Sequence, residues 1–515
     1  MKTDVIIIGA GPTGLSLACQ FIRHGIDFII VEQNEGVTAL SKALGVHART
    51  LEIYEQLGLA KQAIEQGTIA EQVKLITGGT IHDGPDLSTM GEGISAYPYM
   101  LVLEQSKNEQ ILYDYLQRHQ KEVLWNTTLE QFSQTNNGVT AVVQPKDGEA
   151  HTIEAKYLVG CDGASSVVRN TLGFDFIGDT LERLFYVADT QIDWELDHNT
   201  LHACLGRDSF IFFFPMAGDR CWRILGNLPE QASPEELEMD ATDLEERVKG
   251  LTGLSLDILG VNWYSSYRVH TRRVEQFSPG RCFLTGDSAH IHTPAGGQGM
   301  NTGIQDAYNL AWKLAFVLKG YSDESLLETY NQERLENAKN LVETTDQFFE
   351  FEAGSNWLVS LIRTTVLPPL AKHIFNIDVV QRGLFSLISQ TGISYPDSAL
   401  SHAVDDLNSK VKAGDRMPYF LLKGQSIYDD LHKPMFHLLT FSNEHEDQSI
   451  SKEIKQAYGL LIDHHALPLS TPVAKAFGID QPFSVLLRPD NYIGFITQDD
   501  PLSELTSYSI NFKPA

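Results

Sequence analysis

This sequence predicts an α/β fold with an inserted, mainly antiparallel β-sheet and a separate C-terminal unit. Three observations carry that expectation. The chain opens on a β-branched run, Asp4-Val-Ile-Ile-Ile-Gly9, followed by a glycine-rich turn, helical text and a second strand; such a run suits a parallel strand covered on both faces. From Phe174 to about Arg268 the text alternates and is aromatic, as in Phe210-Ile-Phe-Phe-Phe-Pro215, which suits antiparallel strands. After Pro396 the character changes again, to short strands and helices.

Taken in order, the first strand ends at Gly9, helical text runs from Leu15 to His24, and Asp27 to Glu32 completes a β-α-β unit. A helix is expected over Ser106 to Arg118, with Ile111, Leu112, Tyr115 and Leu116 on one face. An acidic stretch, Pro234 to Glu246, interrupts the aromatic strands and is expected to be a solvated helix face. Helical text then dominates from Gly303 to about Gln390, with Pro368 and Pro369 as an expected break. The expected units are 1–173 with 269–395, 174–268 (helped by segments near 76–104), and 396–515.

Composition bounds the function. With 515 residues, 42% hydrophobic and 21% charged, the chain has room for about three domains at ~150 residues each. The net charge of −28 repels phosphate backbones and anionic lipid, so no nucleic-acid partner is expected. An anionic ligand must be held by locally placed donors. The five cysteines form no C-x-x-C pair and no metal-type spacing, so a reducing cytoplasm and no metal site are expected. The opening apolar run is too short for an export signal, and Asp4 interrupts it. The most apolar later stretch, Trp357 to Leu370, is cut by Arg363 and two prolines, so no stable membrane insertion is expected.

Chemistry enters with Gly9-Ala-Gly11-Pro12-Thr13-Gly14, a G-x-G-x-x-G turn between strand and helix. Gly9 permits the tight turn, Gly11 admits a pyrophosphate to the backbone, and Gly14 lets helix and strand pack closely. Free N–H groups at the helix start then attract phosphate even on an acidic protein. Glu32, followed by Gln33, ends the second strand 18 residues beyond Gly14, where a carboxylate can accept from a ribose. Two further motifs follow. Leu158 to Arg169 contains Asp162-Gly163-x-x-Ser-x-x-Arg169. Gly280 to Asn301 runs through a strand to Asp287, suited to a sugar-alcohol hydroxyl, and ends in Pro294, Gly297, Gly299, Met300 and Asn301 just before a helix.

With these motifs in this order, the chain resembles the class A FAD-dependent aromatic hydroxylases related to p-hydroxybenzoate hydroxylase, over nearly its whole length. The resemblance implies a Rossmann-like domain with non-covalent FAD, its ADP half on Gly9 to Gly14 and Glu32. It implies that Asp162, Gly163 and Arg169 bear on FAD and NAD(P)H, that Asp287 binds the ribityl chain and pyrophosphate, and that Pro294 to Asn301 border the flavin. Arg49 matches a phosphate-contacting arginine, Gln105 a glutamine near the ribityl chain, and Leu129 an adenine-side apolar residue. Lys42 stands where relatives often carry arginine, keeping the charge without the planar fork, and Ser288 stands where alanine is usual. The tail resembles the thioredoxin-like domain of phenol and aromatic polyketide hydroxylases; with no cysteine after Cys282 it cannot exchange dithiols.

The activity so implied is hydroxylation of an aromatic, phenolic or polycyclic, substrate: NAD(P)H, a transient co-substrate, reduces FAD, and O2 adds to give a C4a-hydroperoxide that the ring attacks. No side chain stands out as a catalytic acid or base. Alternation places Phe210, Phe212 and Phe214 on one strand face as substrate candidates, with Tyr97, Arg223, Tyr267 and Pro294 beside them. His290 and His292 are expected to be hydrogen-bonded structural groups. A flavin-dependent halogenase or reductase, and an FAD-containing binding or assembly protein, are the alternatives. Monomer and homodimer both remain open.

Overall fold

The computed structural model describes all residues except 40–42, 208, 230–236, 294, 354–361, 405–406, 444–447, 460 and 509–515. Side chains are also left undescribed at 180–183, 295, 343–353, 363, 366 and 448–449.

Among the described residues, five parallel strands form the first sheet, in the order Cys282–Leu284, Tyr157–Gly160, Val5–Ile8, Phe28–Val31 and Val123–Leu124. Val5–Ile8 lies in the middle and is covered on both faces, which is why its apolar run is unbroken. The helix Pro12–His24 follows, three residues longer at its start than the periodicity predicts. Pro12 occupies its first turn, where a missing N–H costs nothing and the fixed φ is already helical. Gly25, in the left-handed region, ends it by donating to the Ile22 and Phe21 carbonyls. The long helix Gly299–Leu318 packs across this first helix. A Cβ at Gly303 would stand 2.3 Å from Thr13 Oγ1, so this crossing needs glycine.

Among the described residues the second sheet has eight strands, mainly antiparallel, with Ile177–Asp193, Cys221–Leu228, Phe210–Pro215 and Thr200–Leu205 side by side. Gln72–Thr77 and Thr80–Asp86 extend it, the former in parallel with Thr200–Leu205. Alternation holds. Phe210, Phe212 and Phe214 share a face with Phe185, Leu225 and Tyr267. Ile211 and Phe213 face the other way, against Tyr186, Trp222 and the buried Leu244 and Val248 of helix Ala241–Thr252. Asp240 caps that helix, with Asp243 and Glu246 exposed; the first part of the acidic stretch, 234–236, lies outside the described residues. Pro368 and Pro369 stand where the π-helical turn Ile362–Val366 gives way to the α-helix Leu367–Phe375, the change in helical path the sequence suggests. This helix covers the aromatic face through Ala371 and Phe375.

The C-terminal unit runs strand-helix-strand-helix-strand-strand-helix, from Phe436–Ser442 to Pro501–Ser507. Its four strands order as Ile462–Pro468, Phe436–Ser442, Phe483–Leu487, Ile493–Thr497, the first pair parallel. One face buries Leu439, Phe441, Phe477 and Val485. The other buries Phe436, Leu438 and Phe495 against Trp312 and Phe316 of the long helix, docking this unit on the first. No helix among the described residues is long and apolar enough to cross a membrane.

Candidate active site

Gly9 turns the chain at φ +101°, and a Cβ there would lie 2.4 Å from the Cys161 carbonyl oxygen. At Gly14 a Cβ would lie 1.9 Å from Gly9 O. Both positions therefore require glycine for packing. Gly11 differs: nothing lies within 4 Å of where its Cβ would be, so the turn is open there, at the start of a helix. Glu32 is buried and accepts from Ala10 N (2.7 Å) and from Asn34 N (3.0 Å) and Nδ2 (2.6 Å). Its carboxylate fixes the turn, and the remaining lone pairs are available to a ribose. Gln33 is exposed beside it. Leu129 is buried two residues after Thr127, whose N–H donates to Glu32 O (2.8 Å), so it packs next to this strand end. Gln105 Oε1 accepts from Ala43 N (3.1 Å) and its Nε2 donates to Glu109 (2.8 Å), holding the chain just after 40–42. Lys42 itself lies outside the described residues.

The Asp287 loop is held from beneath. Asp306 Oδ2 accepts from Gly286 N (2.9 Å) and His290 Nε2 (2.7 Å), while its Oδ1 accepts from Arg334 Nε (2.6 Å). Burial pushes the Asp306 carboxyl up, but Arg334 and His290 outweigh it and leave the pKa below the usual value. Ser288, for which the sequence gives no role, donates to Gly160 O (2.7 Å) and accepts from Thr285 N (3.1 Å), tying the loop to the parallel sheet. Asp287 is exposed among buried neighbours. His290 is thus a structural anchor; His292 Nδ1 donates to Thr293 O (2.7 Å), and burial lowers its pKa to about 4.

Asn301, buried in the first turn of the long helix, accepts from His47 N (2.9 Å) and Thr50 Oγ1 (2.7 Å) and donates to Gly45 O and Gly297 O (both 3.0 Å). His47 Nε2 donates to Gly296 O (2.9 Å), and burial lowers its pKa to about 4, so the ring stays neutral. These contacts shape the exposed Gly296 and Gly297 backbone and the half-buried Gly299. Met300 Sδ accepts from Asn108 Nδ2 (3.5 Å). Pro294 lies outside the described residues. Sequence reasoning missed His47, Thr50 and Asp306; only the nearness of His47 to the Arg49 motif could have drawn attention to it.

Three residues expected to bear on the cofactors also have protein partners. Arg49 is 1% exposed, donates to Glu52 (3.0 Å) and to Asp490 O (2.8 Å), and lies over the Tyr308 and Tyr492 rings. Its guanidinium thus ties this helix to the C-terminal unit, with Glu52 and Tyr492 as fixed partners in a dry seam. Asp162 accepts from Ser166 Oγ (2.6 Å) and Val168 N (3.0 Å), so it supports Ser166, the N-cap of the short helix Val167–Thr171, after Gly163 turns the chain at φ +74°. Arg169 donates to Ser288 O (3.2 Å) and Ala164 O (2.8 Å) and brackets the two loops together.

The aromatic face adjoins this loop region. A Cβ at Gly45 would lie 3.1 Å from Met100 Cε and 4.0 Å from Gly297 O, and Met100 packs with Phe214. Phe212 and Phe214 are half-buried, Phe210 buried. Arg223 pairs across the strands with Phe214 and makes a two-pronged bond to Asp189 (2.6 and 2.7 Å). Its buried Nη1 has no hydrogen-bond partner among the described residues. Tyr267 lies on the same face, its pKa pushed up to about 12 by burial. Tyr97 does not join them. It donates to Glu55 (2.6 Å) and packs by Ala48, Met90 and Phe385, since the chain after Thr80–Asp86 leaves the aromatic sheet.

Residues 2–345 match the family described as FAD binding domain, and the chain belongs to that family. With its open glycine turn suited to a pyrophosphate and a separate phenylalanine-faced sheet, it stands among the class A FAD-dependent aromatic monooxygenases. It is similar to a flavin-dependent monooxygenase of Mycobacteroides abscessus, 31% identical over 96% of this chain and 97% of that protein. It is 29% identical to the 6-methylpretetramide 4-monooxygenase of Streptomyces rimosus, over 98% and 92% of the two chains. Among solved structures it resembles the OxyS anhydrotetracycline hydroxylase from Streptomyces rimosus, with TM-score 0.76, 27% identity and full coverage of both chains.

The cradle gives one direct expectation. Asp287→Ala removes an exposed carboxylate, and should weaken FAD binding by about 10–100-fold, the loss of one charge-assisted hydrogen bond. Flavin fluorescence titration measures it. Unchanged affinity would remove Asp287 from the ribityl contact.

Proposed function

We propose that this protein is an NAD(P)H-dependent FAD monooxygenase that hydroxylates a phenolic or polycyclic aromatic compound on the Phe210–Phe212–Phe214 face. FAD, when bound, would carry electrons from NAD(P)H to O2 and so activate it, one oxygen atom going to the ring and the other leaving as water. The chain supplies position. The open turn at Gly11 takes the pyrophosphate, Asp287 the ribityl hydroxyls, and the Gly297–Asn301 backbone the ring edge. His47, neutral and fixed by Gly296 O, stiffens that backbone.

The observation that carries the substrate class is the unpartnered Arg223 Nη1 on a largely apolar face, its other nitrogens held by Asp189. A buried donor without an acceptor costs about 1–3 kcal/mol, which a phenolic or carbonyl oxygen of a flat ring would recover. Phe212 and Phe214 supply apolar surface for the ring, and the cover of Leu367–Phe375 excludes water. The similar proteins named above are monooxygenases and a hydroxylase, which sets the halogenase and reductase readings aside. We read the C-terminal unit as thioredoxin-like and structural, the units as 1–173 with 269–395, 174–268 and 396–515, and the setting as cytoplasmic.

Oxidation of NADH and NADPH with a panel of phenols and polycyclic polyketides, read by product mass, tests this. One substrate should gain a single oxygen with little peroxide released. No nicotinamide turnover with any aromatic compound would support a flavin-containing binding protein instead. With that substrate, Phe212→Ala should raise KM about 10-fold, some 1.4 kcal/mol, and increase peroxide release while FAD content holds. Unchanged KM would move the substrate off this face.

A further inference from the structure

Far from the flavin cradle, three side chains of the C-terminal unit converge. His437 stands on Phe436–Ser442, and Asp463 and His465 on the neighbouring parallel strand Ile462–Pro468, with His437 in register with Asp463. Alternation puts Asp463 and His465 on one face with His437, and turns His464 to the opposite face, where it meets Thr440 and Ser451. His437 Nδ1 and His465 Nε2 are 3.1 Å apart, His465 Nε2 and Asp463 Oδ2 3.3 Å, and His437 Nδ1 and Asp463 Oδ2 4.0 Å.

We propose that His437, Asp463 and His465 form a zinc site. The point equidistant from the three donor atoms lies about 2 Å from each, while zinc binds imidazole nitrogen and carboxylate oxygen at about 2.0–2.2 Å. The atoms already stand at ligand spacing, on two hydrogen-bonded strands that hold them there.

The tautomers point the same way. His437 Nε2 donates to Lys433 O (3.1 Å), so its Nδ1 carries a lone pair directed into the cluster. This backbone bond is the kind of support that orients metal-binding histidines. A plain imidazole hydrogen bond explains the 3.1 Å contact, but it sets one His465 proton between two acceptors, His437 Nδ1 and Asp463 Oδ2. A divalent cation satisfies all three groups at once. Lys433 Nζ, 2.9 Å from Asp463 Oδ2 and 60% exposed, supplies positive charge there and can swing out.

His437 is buried, whereas Asp463 and His465 are partly exposed, so an ion can enter and keep a water as its fourth ligand. Two nitrogens and one oxygen suit zinc better than calcium or magnesium, which prefer all-oxygen shells. The bound ion would pin the turn around Lys433 to the strand Ile462–Pro468. That turn is docked on the first helix of the chain by Arg23 Nη2, which donates to His432 O (2.8 Å), so the site stiffens a seam between units and takes no part in hydroxylation. In the sequence only Asp463-x-His465 is visible, since His437 stands 26 positions earlier and joins the pair through strand register.

Untagged FAD-loaded protein, stripped with a chelator and dialysed, is titrated with Zn2+ by calorimetry and with Co2+ by its absorption to the red of the flavin bands. One ion per chain with a Kd of about 1 μM or tighter is expected. His465→Ala should weaken it by at least about 100-fold, beyond the loss of a supporting hydrogen bond, with FAD content unchanged. Lys433→Ala, at an exposed position, should tighten Zn2+ several-fold by removing the competing ammonium. No binding by the wild type, or equal affinity in all three proteins, overturns the site. If His465→Ala fails to fold, Lys433→Ala decides: unchanged or weaker affinity means the cluster is only a hydrogen-bonded group.

Discussion

Gly11→Glu should yield a folded protein that carries no FAD. Nothing lies within 4 Å of the Cβ this substitution adds, and the backbone at Gly11, φ −73° and ψ −173°, is ordinary extended chain. The fold therefore loses nothing. The new carboxylate, however, projects from the start of helix Pro12–His24, where a pyrophosphate would be received. Two anions cannot share that place. Gly14→Ala offers the contrast: its Cβ meets Gly9 O at 1.9 Å, so it should lower both thermal stability and flavin content. Absorbance of the purified proteins, with circular dichroism, separates the outcomes. Full flavin occupancy in folded Gly11→Glu would move the nucleotide elsewhere.

Glu333→Ala should cost about 3–5 kcal/mol of stability, the penalty for stranding buried charge. Glu333 is fully buried on helix Glu328–Ala353 and accepts from Arg488 Nη1 (2.5 Å) and Nη2 (3.0 Å), Lys313 Nζ (2.7 Å), Asn309 Nδ2 (2.7 Å) and Ser398 Oγ (2.6 Å). Arg488 also binds Asp490, so two cations and two anions balance where the C-terminal unit meets the long helix. Removing Glu333 leaves an extra positive charge in a dry seam. Burial has already lowered the Lys313 pKa to about 8 against the pull of Glu333, and without that carboxylate Lys313 should shed its proton.

The same cluster sets a pH dependence. Burial pushes the Glu333 carboxyl up, but Arg488 and Lys313 outweigh it and hold the folded pKa below the ordinary range. A depressed carboxyl stabilises the fold above its unfolded pKa of about 4.3, and that stability is lost as pH falls toward the lower folded value. Denaturant melts at neutral and acid pH should show the slope in the wild type and a weaker one in Glu333→Gln. Parallel slopes would place the acid sensitivity in another group.

The glycine turn, Glu32 and the Asp287 loop were legible because each rests on short-range geometry. A turn that excludes Cβ needs glycine wherever it occurs, and a strand covered on both faces needs an apolar run. The aromatic alternation from Phe210 to Phe214 was legible for the same reason, a period of two fixed by the strand itself. The protein partners of Arg49 and Tyr97 were not. Each residue lies near a motif in the sequence, yet its polar end turns to Glu52 and Asp490 or to Glu55. The proline pair at Pro368 was legible as a change of helix, because a ring that cannot continue one helix can begin another.

By itself the sequence determined the order of the elements, the nucleotide turn and the two faces of the aromatic strand, since steric exclusion and side-chain alternation act between near neighbours. Tertiary structure alone decided where the buried charges go. Glu52 meets Arg416 across 364 residues and Glu333 meets Arg488 across 155. The free energy of a charge inside the protein depends on the partner delivered to it, and that partner comes from a distant segment which no local pattern identifies.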